Sequence, residues 1–391
     1  MENKTNTIKT TNGYFDVVVD VEICPDTFEL SKPGKNNPSW IQNVMNTKVT
    51  TPDGKSMYMS FRSGFDSSKP EGKKIFTSKE DGTQLEIPFS DRNNDVWKTM
   101  VDQKRMVKVA LGKSEKIDKK EDGTEVKYKS WDYINFLDVF DAITLLQQRL
   151  GSEIGKTFKF HIKGSQKLGE YNGDVTKNFD LQSIFLLTGN EEQGKELDYK
   201  LGLTQNVILT NGCVDDSKID DEKDAIVTIN SKVMIKDKKE YKTLPVPLTM
   251  KVNDANRDTV KKLLDLYFKV DDGKVRRINL DCEYEVGYVS GEVSYDDLPE
   301  EAKQLIELGV YSMEEISKMY ANKQRVDNII IKRPVVKKDD KGKIMIDFSD
   351  NDYKVEDLEG REANIAVEEE VDLTETVNDI QNLLNDLDLT E

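Results

Sequence analysis

Histidine is almost absent from this 391-residue chain: His161 is the single one. Sites that hold a metal through two or three imidazoles are therefore excluded, and a serine–histidine–aspartate triad has one candidate for its base. His161 lies in Thr157–Lys163, whose side chains alternate in polarity, and this places it on the surface of a strand. Cysteine is nearly as scarce. Cys24, Cys213 and Cys282 are far apart, and an odd set without a close pair excludes a disulfide framework and a cysteine-rich zinc site; it suits the reduced thiols of a cytosol. No apolar run approaches the length of a membrane span, and Met1–Thr10 lacks the apolar centre of a secretory signal, so neither a membrane nor an export step is expected. An excess of positive charge is missing too: 57 Lys and Arg stand against 74 Asp and Glu, a formal net charge of −17. Any contact with a polyanion must come from cations gathered in one place.

The negative charge is unevenly spread. Residues 356–391 hold thirteen acidic side chains and one basic one, Arg361, and so carry −12 of the −17. A detached acidic end either competes with a polyanion for a basic surface or is held out to partner proteins; its plainer role is a solvated, disordered terminus. Within it Val377, Ile380, Leu384 and Leu387 fall on one helical face and form a candidate docking stripe for a partner. Upstream, 14 Tyr, 14 Phe and 3 Trp exclude wholesale disorder.

The length allows two or three domains. After a disordered stretch 1–12, β-branched or alternating segments predict strands at Tyr14–Ile23, Trp40–Thr50 and Ser56–Arg62. A Gly-, Ser- and Lys-rich stretch, 63–84, reads as a long exposed loop, and Asp91–Val101 as a short helix. Strands follow at Arg105–Leu111 and Val126–Leu137. Asp138 then caps a helix with Val139, Ile143, Leu146 and Leu150 on one stripe and Gly151 past its end. Three strands, a short helix and two strands are the element order of an OB-type Greek-key barrel. From Gly155 a second, mostly β half begins. Strands are expected at Thr157–Leu168, Asn178–Leu187, Gln205–Gly212, Ala225–Ile235, Tyr241–Val252, Val275–Val289 and Val326–Lys337, with helices after Asp254, Leu298 and Ser312. The expected architecture is mainly β with helical insertions: a first OB-like barrel over 13–152, a second over 153–348, and an acidic tail over 349–391, with 349–370 disordered.

The motifs associated with chemistry do not hold up. Gly151–Thr157 has three residues between its glycines where a phosphate-binding loop needs four, and it leads from helix to strand, the reverse of the required order. The acidic cluster from Asp215 to Asp224 has no glycine at the sixth position of a calcium loop. Asp138 with Asp141, and Glu283 with Glu285, are ordinary spacings for a helix start and a strand face. The expectation is no catalytic residue, no metal and no cofactor.

Basic and aromatic residues interleaved on strands do stand out. Single-strand binding needs this pairing, because cations follow the phosphates while exposed rings stack on unpaired bases. The candidates are Lys104, Arg105 and Lys108; Lys127, Lys129, Trp131 and Tyr133; and Lys159, Lys163, Lys167, Tyr171 and Lys177. Alternation puts Lys159, His161 and Lys163 on one face and Phe158, Phe160 and Ile162 on the other, so those aromatics belong to the core. Trp131 and Tyr133 share a face with Lys127 and Lys129 and are better stacking platforms.

Gly155–Gly164, Glu170–Gly173 and Lys177–Leu187 together resemble the paired strands around a Tyr-x-Gly turn in the single-stranded DNA-binding proteins of tailed bacteriophages, and the acidic end resembles their partner-docking terminus. The resemblance covers about 35 residues closely. It implies OB-type barrels that coat single-stranded DNA during phage replication and recombination in the cytoplasm of an infected bacterium, with the tail recruiting replication and recombination proteins or inhibiting binding. The ending Leu387–Glu391 departs from the aromatic-Pro-Phe ends of the bacterial proteins, so a partner pocket would differ. Two other readings stay open: a virion or assembly protein whose β domains contact proteins, and a metal-dependent nuclease using scattered carboxylates.

Overall fold

The computed structural model describes residues 8–362, apart from 35–36, 120–124, 172, 188–196, 222, 238–239, 291–294, 296–297, 314–315, 317–322, 340–341 and 360. The stripe Val377, Ile380, Leu384 and Leu387 lies outside the described residues. The chain is mainly β with helical insertions, and the OB-type order occurs twice.

The first half opens with β1 (Gly13–Glu22), the short β2 (Phe28–Pro33), β3 (Trp40–Thr50) and β4 (Ser56–Asp66). An insertion follows: the hairpin β5 (Lys74–Ser78) and β6 (Gln84–Pro88), helix α1 (Asp95–Met100), β7 (Val107–Ala110), the ribbon β8 (Lys113–Lys119) and β9 (Glu125–Trp131), and β10 (Ile134–Phe136). Helix α2 (Val139–Leu150) then leads into the long hairpin β11 (Thr157–Tyr171) and β12 (Asp174–Leu186). β1 pairs with β3 at one end and with β11 along its length; β3 pairs with β4, β11 with β12, and β12 returns against β4. The first barrel is therefore β1, β3, β4, α2, β11 and β12.

The second half repeats the plan. β13 (Lys200–Thr210), β14 (Val214–Asp215), β15 (Ala225–Asp237) and β16 (Glu240–Val252) precede helix α3 (Arg257–Leu263), which continues as one π turn over Leu264–Phe268. β17 (Val275–Ser290), helix α4 (Glu300–Glu307) and β18 (Lys323–Pro334) complete it. β13 pairs with β15 and β17, β15 with β16, β17 with β18, and β16 with β18 in parallel, so hydrogen bonds run around the whole ring. The chain finishes with β19 (Val336–Lys338), β20 (Ile344–Ile346), β21 (Phe348–Ser349) and β22 (Arg361–Glu362).

Two expectations about the first half change. The hairpin 157–186 closes the first barrel instead of opening the second, because its strands hydrogen-bond to β1 and β7. The division expected at 152/153 thus moves to the connection between Leu186 and Lys200. The helix of that barrel is the one capped by Asp138, whose carboxylate accepts from Phe140 N, and it buries Ala142, Ile143, Leu146 and Leu150 against the strands. The expected loop 63–84 contains the end of β4 and the hairpin β5–β6. The expected disorder from 349 is corrected over 349–359: Phe348 and Ser349 pair with β17, and Tyr353 is 5% exposed with its hydroxyl donating to Lys9 O at 2.7 Å.

The barrels join along a strand seam. Gly13–Val18 of β1 pair antiparallel with Gln205–Lys200 of β13, and one apolar core runs through both barrels, from Phe15, Val17 and Phe160 to Leu203, Ile278 and Cys282. Beneath the seam Gln166, Gln205 and Tyr284 are fully enclosed. The Tyr284 hydroxyl donates to Gln166 Oε1, and Gln205 Nε2 donates to Asn206 O at 2.9 Å. These bonds satisfy polar groups that would otherwise be costly to bury.

Candidate nucleic-acid interface

The outer side of the first barrel and its insertion forms a sheet surface in the order β10, β7, β12, β11, β1, β13. Along β11 the expected alternation holds: Phe160 and Ile162 are fully buried, and Lys159, His161 and Lys163 face outward. Opposite them on β12 the parity changes. Phe179 and Leu181 are buried, but after the register shift at Lys163/Gly164, with Gln182 as the extra residue, Ile184 is the buried one and Phe185 faces out beside His161. Gly164 is required there, since a Cβ would collide with the Asp180 carbonyl and the Phe15 ring.

Phe185 is the centre of an aromatic patch. Its ring centroid is 5.8 Å from Trp131, 5.7 Å from Tyr133 in an edge-on arrangement, and 6.0 Å from His161. Trp131 ends β9, directly across from Lys113 on β8, whose ammonium lies 4.5 Å over the indole. Tyr133 is 49% exposed with Lys108 Nζ 5.9 Å from its ring. The ribbon β8–β9 rises from this patch, and period two puts Lys127 and Lys129 on the same side as Trp131. Lys127 is held by Glu115 at 2.9 Å. Lys104 and Arg105 are exposed on the turn just before β7.

On the other side of the patch, Asp16 organises the cations. Its carboxylate lies 2.6 Å from His161 Nε2, 2.9 Å from Lys200 Nζ and 3.5 Å from Lys163 Nζ. Burial opposes its ionisation, but hydrogen bonds from His161 and Lys200 outweigh that and hold the carboxyl well below the usual range. Next along the strand, Lys159 Nζ is 4.1 Å from the ring of Tyr199, whose hydroxyl donates to Asp20 at 3.0 Å. Five lysines (108, 113, 159, 163 and 200) thus border one aromatic cluster, with Asp16, Asp20 and Asp132 among the acids beside them.

The structure brings Lys108, Trp131, Tyr133, Lys159 and Lys163 together, with Lys127 and Lys129 on the adjoining ribbon. It does not bring in Lys167, Tyr171 or Lys177. They lie toward the tip of the β11–β12 hairpin, about 26 Å along β11 in the case of Tyr171. Lys167 is paired with Asp180 at 2.6 Å and Lys177 with Asp327 at 2.5 Å. Phe185, Lys113, Lys200 and Tyr199 are the residues that sequence reasoning missed. The carboxylate pairs have structural roles. Asp138 engages Lys73 at 3.1 Å and Asp141 engages Arg92 at 2.8 Å, fastening the insertion to α2. Glu283 and Glu285 line a cleft of about 320 Å³ in which Lys55, Lys332 and Lys251 neutralise them. Among the described residues no three potential metal ligands converge, and no helix is long and apolar enough to cross a membrane.

Fold and face together define a tandem OB-type barrel protein with a basic, aromatic outer sheet on its first barrel. No family model and no curated protein matches the chain. Among solved structures it is similar to the single-stranded DNA binding protein from Thermus aquaticus. A deletion mutant of that protein gives 6% identity over 71% of this chain and 88% of that one, with a TM-score of 0.28. The wild type gives 5% identity over 70% and 85%, with a TM-score of 0.27. Such identities give no residue correspondence, so the functional reading rests on the geometry of the face.

Proposed function

We infer that the protein binds single-stranded DNA on the outer sheet of its first barrel, without catalysing a reaction. The observation that carries this is the cluster of Trp131, Tyr133 and Phe185 ringed by Lys108, Lys113, Lys159, Lys163 and Lys200. Rings with exposed faces stack on unpaired bases, and the lysines replace the counterions of the phosphates. The non-enzymatic reading is supported by the carboxylates at 138, 141, 283 and 285, each already engaged by a lysine or arginine. The biological setting follows the resemblance of the 155–187 hairpin: coating of single strands in phage replication and recombination within the bacterial cytoplasm. Residues 356–391 would then act as a competing polyanion or as the segment that replication and recombination proteins dock on, through Val377, Ile380, Leu384 and Leu387.

Titrating oligo-dT into the protein at two salt concentrations tests this. Tryptophan quenching at low salt that weakens steeply as salt rises is expected. Absence of quenching and of any anisotropy change for labelled oligo-dT at low salt, with intact and tail-deleted protein alike, would rule the reading out.

A further inference from the structure

The second barrel has a counterpart of the binding face, and the chain covers it with its own acids. The two barrels can be matched where the first strand of each, still paired with its fourth strand, also takes up the second strand: Asp20 in β1 and Ile208 in β13. Asp20 stands opposite Lys159 and Ile208 opposite Arg277. The outward stripe Lys159, His161, Lys163 therefore corresponds to Arg277, Asn279, Asp281. In the first barrel that stripe borders solvent-facing rings. In the second, Arg277 is 17% exposed and enclosed by carboxylates: Nε lies 2.5 Å from Asp352, Nη2 lies 3.2 Å from Asp347, and Nη1 donates to Asn206 Oδ1 at 2.9 Å. Asp347 also takes Lys337 at 2.9 Å and Asn279 Nδ2 at 3.3 Å. Both acids come from the segment that wraps back after β20, fixed by the pairing of Ser349 with Arg277 and by buried Tyr353.

We propose that Arg277, Lys337 and Asn279 form a second contact for the phosphate backbone of a single strand, closed by Asp347 and Asp352 acting as built-in phosphate substitutes. The proposal rests on the single-strand reading above. A guanidinium flanked by an ammonium and one amide donor suits one or two phosphate groups, and two carboxylates on those donors present the same charge and acceptor geometry. The protein then engages a strand through one barrel and holds the second in reserve, separately from anything the 356–391 tail does.

The test is the salt dependence of oligo-dT binding by the full chain carrying D347N/D352N. Freeing two cations for two phosphates steepens the slope of log affinity against log salt by about 1.4, at about 0.7 per phosphate, and lengthens the strand occluded per protein. R277A added to that variant removes one of the two freed cations and lowers the slope by about 0.7, and adding K337A as well returns it to the wild-type value. E300Q/E301Q on exposed α4 removes the same net charge and leaves slope and occluded length unchanged. If the double variant fails to fold, D352N alone, whose acid lies beyond the β21 ladder, gives about half the effect. A folded D347N/D352N with wild-type slope and occluded length, or an equal gain in E300Q/E301Q, overturns the proposal. Wild-type binding that is lost in W131A while D347N/D352N shows no gain would remove this inference alone; no binding by either protein would remove both.

Discussion

Replacing Trp131 with alanine separates stacking from charge on the proposed face. The indole ends β9 at the base of the ribbon, 5.8 Å from Phe185 and 4.5 Å beneath the ammonium of Lys113. Stacking of one base on an aromatic side chain contributes about 1–3 kcal/mol, so W131A should raise Kd for oligo-dT by about 5- to 150-fold. Lys108, Lys113, Lys159, Lys163 and Lys200 all remain, so the number of counterions released is unchanged and the salt slope should stay at the wild-type value. K163A should do the reverse: the slope falls by about 0.7, and the loss of affinity shrinks as salt rises. Anisotropy of labelled oligo-dT is the suitable assay, because the variant loses the fluorophore that would report quenching. Trp40 and Trp97 still report folding. The indole is partly buried, and its loss from the Lys113 contact should cost about 0.5–1 kcal/mol of stability. A folded W131A with wild-type affinity, or one whose salt slope drops along with its affinity, would show that no base stacks there.

Three further outcomes follow from the packing. Y284F strands the buried Gln166 Oε1 beneath the seam and should lower unfolding free energy by about 1–3 kcal/mol in urea; a variant as stable as wild type would refute the account of that triad. G164A forces a methyl onto the Asp180 carbonyl and the Phe15 ring and should cost about 1–3 kcal/mol, seen as a lower Tm, and an unchanged Tm would show that the bulge relaxes freely. For Asp16 the folded carboxyl lies below its ordinary value, so its stabilisation is complete above the ordinary carboxylate range and is lost as pH falls through the lowered one. The stability difference between wild type and D16N should narrow as pH falls below about 4; a difference that widens in that acid range would contradict the ion-pair assignment.

Much of the fold was legible because local signals were strong. Alternation in Thr157–Lys163 set the core and outer faces of β11 correctly, and Asp138, the apolar stripe and Gly151 marked α2. The barrel boundary was not legible, because the order strand, strand, strand, helix, strand, strand can be matched twice. Asp91–Val101 with the segments after it imitates the pattern that Asp138–Leu150 and the 157–186 hairpin complete. Only long-range pairing decides between them, and β11 finds its partner β1 some 150 residues earlier. The candidate face was half legible. Trp131 and Tyr133 stood beside lysines in the sequence, but Phe185 was hidden by the bulge: counting in twos from Phe179 and Leu181 sends it into the core. Lys200 and Tyr199 come from the start of the second barrel, and no spacing within the first could reveal them. Lys167 and Lys177 illustrate the opposite failure, since the aspartates that engage them lie on other strands.

The seam between β1 and β13 makes the two barrels one mechanical body. Because the join consists of backbone hydrogen bonds between Gly13–Val18 and Gln205–Lys200, the barrels cannot swing on the 187–199 connection like beads on a string. A DNA strand crossing from one face to the other would therefore meet a fixed angle, set by sheet twist and not by linker length. Cutting the connection should leave the halves associated. Either barrel made alone would expose a bare strand edge, and the nearest remedy for such an edge is a second copy of itself.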